Sequence, residues 1–393
     1  MRFSGPIVTL AIAAASAVIS AAVTQASAQT PAVASTALKT PWGEPDLQGI
    51  WTDEFDTPLQ RSPRYANQEF FTEQQRADFD KERTAILTRF ATEREINGAY
   101  NAATFFSTKR TGARTSKIVD PPNGRFPPLT PEAQKRAAAE REYRLELVRS
   151  TDTCKNQLRG CAGGKYDPTP SPRRAEAPPR YNIARMNRND GPEDSALAER
   201  CLTAGLPEFG GATGSFRRIV QTPGGISIFY DVGQGQGWQR NIVMDGSPHL
   251  PASIRQWYGD SRGRWEGDTL VIDVTNFSSK TEVFGSRENL HLVERWTRTG
   301  PKTLAYEVTV EDPTVWTRPW TVKQEFSLQS NEENRFYAEP RCLEGNYGLP
   351  GLLHGRRVED AAFAQGRGPD PATKDNVTGS LTLGEVPADP LQQ

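Results

Sequence analysis

The chain has 393 residues, a formal net charge of −1 and 24% charged side chains. That balance provides no basic field to gather nucleic acid, so nucleic-acid partners are excluded. The length suffices for one large domain or two ordinary ones.

Arg2 precedes an apolar run from Ile7 to Val23, which ends at the small-x-small site Ala26-Ser27-Ala28. This pattern predicts a cleaved signal peptide over residues 1–28 and a location in the periplasm or outside the cell. The run is short for a membrane span and lacks a basic stop-transfer flank. No later segment is longer and more apolar, so no membrane association is expected after cleavage.

Residues 29–45 read as a linker. Pro45–Thr52 predicts a short strand with a close backbone approach at Gly49. A helix is expected from Thr72 to about Glu95, with Thr72 and Gln75 at capping-box spacing and Ile86, Leu87 and Phe90 as its apolar stripe. A second helix, capped by Thr130 with Pro131 at its first position, should run to about Arg149. Residues 163–191 are dense in Pro, Arg and Gly and read as a wrapping loop, followed by a short helix over Pro192–Leu202. Residues 46–202 together are expected to form a strand plus a helical and Pro-rich belt. Neither main helix carries enough apolar surface for a core of its own.

From residue 203 to 360 the pattern changes to short β-branched and aromatic runs between turn signals. They are Phe216–Gln221, Ile226–Val232, Gln239–Met244, Ser253–Asp260, Thr269–Phe277, Leu290–Arg298, Leu304–Glu311, Trp320–Leu328 and Arg335–Cys342. Such spacing predicts a mainly β fold, an antiparallel meander closing into a barrel of about 8–10 strands. Residues 361–393 read as a disordered tail.

Two hairpins fix the register. A two-residue loop at Gly267-Asp268 sets Trp265 against Leu270 and Arg262 against Asp273. A three-residue loop at Gly300-Pro301-Lys302 sets Trp296 against Tyr306, Leu292 against Val310, Arg295 against Glu307 and His291 against Glu311. A two-residue loop would instead place Glu294 against Glu307, which like-charge repulsion disfavours.

That register places Glu294 on one face with Leu290, Leu292, Trp296, Tyr306, Val308 and Val310. A carboxylate there must be paired, protonated or hydrated. Two readings stay open: an acid tuned by a cavity, with Tyr306 or His291 assisting, or an ion pair with an inward arginine. The expected ligand-binding residues are Trp296, Trp265, Arg262, Asp260 and His249. No H-x-H, H-E-x-x-H or C-x-x-C spacing occurs, so no metal and no cofactor is expected, although His249, Asp260 and His291 could form a distributed site. Four cysteines in an exported chain read as two disulfides with three connectivities open. Cys154 and Cys161 suit a local bridge; Cys201 and Cys342 would then close a long loop.

Pro45–Thr52, Ile118–Glu132, Gly259–Phe277, Glu288–Arg298, Tyr306–Val322 and Glu344–Leu352 resemble a large, mostly uncharacterised family of exported bacterial proteins. The resemblance implies no activity. That family often has Cys-His-Glu-Gly where this chain has Cys342-Leu343-Glu344-Gly345, so any role of that histidine is absent here. Gly49-Ile50-Trp51 is also similar to the first-strand signature of lipocalin-like barrels. That resemblance implies that Trp51 closes one barrel end against an arginine from a late strand.

The expected function is binding of a small cyclic or partly apolar molecule in a barrel cavity. The alternatives are an acid–base enzyme, such as a lyase, isomerase or hydratase, using the same cavity, and a structural envelope protein without a ligand.

Overall fold

The computed structural model describes residues 38–97, 109–197, 199–202, 205–209, 216–233, 236–330 and 347–376. The expected strand over 335–342 lies outside these residues. Four short strands come first: β1 (Gly49–Thr52), β2 (Phe55–Asp56), β3 (Arg110–Thr111) and β4 (Ile118–Asp120). Eight longer ones follow: β5 (Phe216–Thr222), β6 (Gly225–Gly233), β7 (Gln236–Val243), β8 (Asp260–Glu266), β9 (Thr269–Thr275), β10 (His291–Gly300), β11 (Thr303–Glu311) and β12 (Trp320–Leu328). The helices are α1 (Glu73–Asn97), α2 (Pro131–Val148), α3 (Asp152–Lys155) and α4 (Gly348–Ala364).

β5 to β12 lie side by side in chain order, and β1 pairs with both β5 and β12. Nine strands thereby close a barrel in which each strand has a neighbour on both sides. The expected meander is antiparallel throughout, and here the structure corrects it. β7 and β8 run parallel and meet through one residue pair, Val243 with Arg262. A parallel pair needs a crossover, and residues 244–259 supply it. This segment also replaces the strand expected at Ser253–Asp260. Ile254 is exposed, Gly259 takes a left-handed φ of +69°, and pairing resumes at Asp260.

Both hairpin registers hold. Trp265 faces Leu270 and Arg262 faces Asp273; Trp296 faces Tyr306 and His291 faces Glu311. In the second hairpin Gly300 pairs with Thr303, and the register shifts between Arg298 and Gly300. The turn is therefore tighter than expected, and a bulge at Thr299 preserves the register.

The interior is a continuous apolar core, including Trp51, Ile228, Ile272, Leu292, Trp296, Val308, Trp320 and Phe326. Trp51 is fully buried and donates from Nε1 to Leu47 O at 2.9 Å. The Arg298 guanidinium lies 5.3 Å from its ring centroid and donates to Asp46 O at 2.9 Å. A late-strand arginine thus covers Trp51.

The capping box of α1 is formed, with Thr72 N donating to Gln75 Oε1 and Gln75 N to Thr72 Oγ1. Of the expected stripe Ile86 is half-buried, and the Leu87 and Phe90 side chains lie outside the description. What anchors this helix is its first half. Phe79 packs edge-on to Phe71 and Tyr65, and Arg83 donates to Lys109 O at 2.7 Å. In α2, Thr130 caps the Ala133 amide, and Tyr143 and Leu147 bury against Met186.

The Cys154–Cys161 disulfide is formed beside Val148. Cys201 is also disulfide-bonded; Cys342 lies outside the described residues. The short helix expected over 192–202 reduces to a single 3-10 turn, Pro192–Asp194. The tail expected from residue 361 is not seen over residues 361–376, and residues 377–393 lie outside the described residues. α4 continues to Ala364, and residues 371–376 fold back, with Ser150 Oγ donating to Ala372 O and Asn376 N to Asn187 Oδ1.

Gly49 has φ +139°, and a Cβ there would stand 2.4 Å from Leu328 Cδ1. Gly49→Ala should therefore lower unfolding stability by about 3 kcal/mol, from strain plus overpacking. Gly267→Ala, at φ +60° with open space around it, should cost only about 1 kcal/mol. Urea midpoints of the two variants test this; equal losses would refute the close approach.

Candidate functional site

Alternation along β10 turns Leu292, Glu294 and Trp296 inward and His291 and Arg295 outward. Glu294 is 0% exposed. Arg240 of β7 donates from Nη1 to Glu294 Oε2 at 2.7 Å, and the Tyr306 hydroxyl donates to Oε1 at 3.0 Å. Arg240 also donates from Nε to Ser261 Oγ at 2.9 Å and lies 3.4 Å from the Tyr230 hydroxyl. The inward arginine that one reading of Glu294 required is therefore Arg240. Two buried charges this close, each hydrogen-bonded, satisfy the condition for retaining charge in a core.

Burial, and then the Glu294 charge, raise the Tyr306 pKa well above the ordinary tyrosine value. Burial raises that of Tyr230 to about 12. For Arg240, burial opposes the charge, but the Glu294 carboxylate and Tyr230 outweigh it and raise the pKa. Both hydroxyls consequently keep their protons near neutral pH; that of Tyr306 donates to Glu294, and that of Tyr230 accepts from Arg240. The circuit closes through rings. Trp296 lies 4.3 Å from Tyr306 and 5.9 Å from Phe326, and the Arg217 guanidinium lies 4.1 Å from Phe326. Among the described residues, three buried donors on this circuit, Arg217 Nη1, Arg240 Nη2 and Trp296 Nε1, find no acceptor.

A second polar cluster sits on the outer surface. His249 bridges Asp260, at 2.9 Å from Nδ1, and Asp273, at 2.8 Å from Nε2. His291 approaches the other Asp273 oxygen at 3.2 Å and Glu311 at 3.3 Å. Arg262 donates to Asp260 at 3.0 Å and to Ser247 at 2.6 Å. The cluster fastens the crossover between β7 and β8 to the wall formed by β8 to β11. Among the described residues no group of His, Cys, Asp or Glu is arranged to hold a metal ion.

A third feature is a cleft of about 620 Å³ between the belt and the outer face of β10, β11 and β12. Phe55, Phe70 and Ala113 line the belt side; Thr297, Ala305 and Glu307 line the barrel side. Its charged rim is largely self-compensated. Arg114 pairs with Glu69, Arg295 with Glu266 and Lys323 with Glu307. In its lining Asp53, Lys117 and Gln324 are more than nine-tenths buried. Gln324 donates from Nε2 to Asp53 Oδ2 at 2.6 Å, and its Oε1 is buried without a donor.

The structure thus divides the sequence candidates into groups. Glu294, Tyr306 and Trp296 meet inside the barrel. His291, His249, Asp260 and Arg262 meet outside it, so His291 has no contact with Glu294. Trp265 stands apart, half-buried at the end of the β8–β9 hairpin. Sequence reasoning missed Arg240, although it shares inward parity with Trp238 and Ile242 on β7. Asp273 was placed opposite Arg262, but its role as the link between two histidines depends on the crossover. Asp53, Lys117 and Gln324 carry no periodic signal, because two of them lie just outside strands.

Breaking the interior pair leaves an uncompensated charge. Glu294→Gln should cost about 3 kcal/mol, and joint replacement, Arg240→Met with Glu294→Leu, should recover most of that. Denaturant midpoints decide; a neutral Glu294→Gln sinks the pairing account. For the outer cluster, the Asp273 hydrogen bond raises the His291 pKa, and the His291 hydrogen bond lowers that of Asp273. The His291 contribution is whole below its unfolded pKa of about 6.5 and fades as pH rises through the folded value. The Asp273 contribution is whole above its unfolded pKa of about 3.9 and fades as pH falls through the folded value. His291→Asn should therefore destabilise more at pH 5 than at pH 9, and equal losses would refute the coupling.

No family model matches the chain, and no curated protein matches it. Among solved structures it is similar to a secretary abundant heat soluble (SAHS) protein from Ramazzottius varieornatus, with 13% sequence identity. The match covers 34% of this chain and 82% of that one, at a TM-score of 0.22. At that score no argument is drawn from it, and the barrel stands on its own strand pairing.

Proposed function

We propose that this chain is an exported barrel protein that binds a small, partly apolar molecule, and that the binding site is the cleft between belt and barrel wall. The observation that carries the reading is the cleft itself. Its volume of about 620 Å³ falls in the range of small-molecule sites, which combine an apolar lining with a few placed polar groups. Here the apolar part is Phe55, Phe70, Ala113 and Ala305, and the polar part is Asp53, Lys117 and Gln324. Because the rim cations Arg114, Arg295 and Lys323 are already paired and Arg76 is turned to Thr111 O, the cleft suits a body with little net charge. Export is supported by the apolar N-terminal run and by the Cys154–Cys161 bridge, since disulfides persist in oxidising compartments.

A second reading places the ligand inside the barrel. It is favoured by the three interior N–H groups that lack acceptors, because buried donors of that kind are matched by water or by a ligand. In that reading Glu294 orients Arg240 toward an acceptor-bearing guest.

Titration with anilinonaphthalene sulfonate separates the two. The dye should bind the cleft with a Kd on the order of 10 µM, given its size. Ala305→Trp should fill the cleft and abolish binding while the circular dichroism spectrum is retained. Unchanged binding in that variant would move the site to the interior.

A further inference from the structure

The cleft contains one group whose surroundings are unlike those of a structural lysine. Lys117 is fixed by its backbone, with its N donating to Pro58 O at 2.7 Å and its O accepting from Lys323 N at 3.0 Å. Its Nζ donates to Phe209 O at 2.5 Å and stands 3.7 Å from Asp53 Oδ2. That same carboxylate oxygen also accepts from Gln324 Nε2 at 2.6 Å and from Lys109 Nζ at 3.3 Å. Asp53 Oδ2 is thus shared among Lys117, Gln324 and Lys109. Burial lowers the Lys117 pKa below the ordinary lysine value; the Lys109 charge acts the same way, and the carboxylates of Asp53, Asp56 and Glu208 oppose it without prevailing. The independent observation is Gln324 Oε1. Its amide orientation is fixed because both partners of Nε2, Asp53 Oδ2 and Phe209 O, are acceptors. The oxygen is therefore a buried acceptor awaiting a donor in the same cleft.

We propose that the cleft takes a small aldehyde or ketone with an apolar body, and that Lys117 captures its carbonyl carbon as an imine. This rests on the cleft being the binding site. The neutral Nζ adds through its lone pair to the carbonyl carbon, forming a C–N bond and pushing the C=O electron pair onto oxygen. A proton leaves the nitrogen and reaches that oxygen by way of the Asp53 carboxylate. The resulting carbinolamine hydroxyl donates to Gln324 Oε1, the acceptor otherwise without a donor. Loss of that hydroxyl as water leaves C=N. One amine and one carbonyl enter, one imine and one water leave, and no oxidation state changes, so no further reactant is needed. Desolvated lysines serve as carbonyl-capturing nucleophiles because the neutral amine is the reactive form. Phe55 and Phe70 supply the apolar surface for the rest of the molecule.

The test incubates the intact protein at pH 7 with 4-methoxybenzaldehyde and sodium cyanoborohydride, which reduces an imine to a stable secondary amine in preference to the free aldehyde. Peptide mass mapping should find one equivalent on Lys117, formed at least ten times faster than on any other lysine. Lys117→Arg should lose the adduct. Ala305→Trp keeps the lysine and its partners but occupies the cleft, and it should lose the adduct too. Label spread over other lysines without enrichment at Lys117 overturns the proposal, as does undiminished Lys117 labelling in Ala305→Trp. Should the dye bind the cleft while no Lys117 adduct forms, the imine chemistry fails and the cleft reading stands. Failure of both measurements removes both.

Discussion

The closure of the barrel turns on the junction between β7 and β8, where the ring has one residue pair in place of a ladder and Arg240 bridges the strands. Eight of the nine junctions in the ring are antiparallel ladders, and those between β5 and β7 and between β8 and β12 run for several residues each. The ninth, β7 to β8, has a single residue pair. Side chains supply there what backbone does not. Arg240 reaches from β7 to Ser261 on β8 and to Glu294 on β10 in one span. The backbone can come close enough only because residue 263 is glycine; a Cβ there would lie 2.3 Å from Met244 Sδ and 2.7 Å from Ile242 Cγ2. A buried ion pair is ordinarily weak evidence for stability, since desolvation offsets much of the attraction. In this fold its contribution is one of position: it holds the Arg240 side chain across the interior from β10 while Nε reaches Ser261 on β8.

Two polar systems grip that junction from opposite sides. Inside, the Arg240 circuit ties β7 to β8, β10 and β11. Outside, His249 and Arg262 tie the crossover to Asp260, and Asp273 passes the connection on to His291 and β10. The cleft has a different origin. β12 shares one edge between β1 and β4, and its middle residues have neither strand beside them on that side. Asp53, leaving β1, and Lys117, entering β4, converge with Gln324 at that interruption. The buried polar group thus follows from an incomplete ladder.

The sequence carried much of the barrel and less of the sites. Alternation marks seven of the eight later strands; turn chemistry marks the first hairpin register, and cross-strand charge pairing marks the second, whose turn is shorter than expected and is offset by the bulge at Thr299. Those signals are local, since turn type and inward parity are written within a dozen residues. The parallel crossover was not legible. Ile254, Trp257 and Tyr258 imitate a strand, but residues 244–259 are held as a crossover by ties to Asn276 and Asp260 and by a single bridge between Gln256 and Phe277. Glu294 announced itself by standing on an apolar face, but its partner was not identified because β7 had not been placed across from β10. The α1 stripe misled in the opposite sense: an aromatic cluster in the first half does the anchoring, and Arg83, a residue that reads as surface, is buried.

The closing strand has a kinetic implication. Trp51 pairs with Arg217 on one side and with Leu328 on the other, so the earliest segment of the barrel can lock only after the residues of β12 exist and have found their place. Contacts this distant along the chain are the ones that slow folding most, because loop closure must precede the contacts that reward it. A ribosome releasing this polypeptide would therefore hold an open sheet, with β1 waiting, through most of synthesis. The final shape becomes available only near the end, and the interval before it is the period in which chaperones would have the greatest influence on the yield of closed barrels.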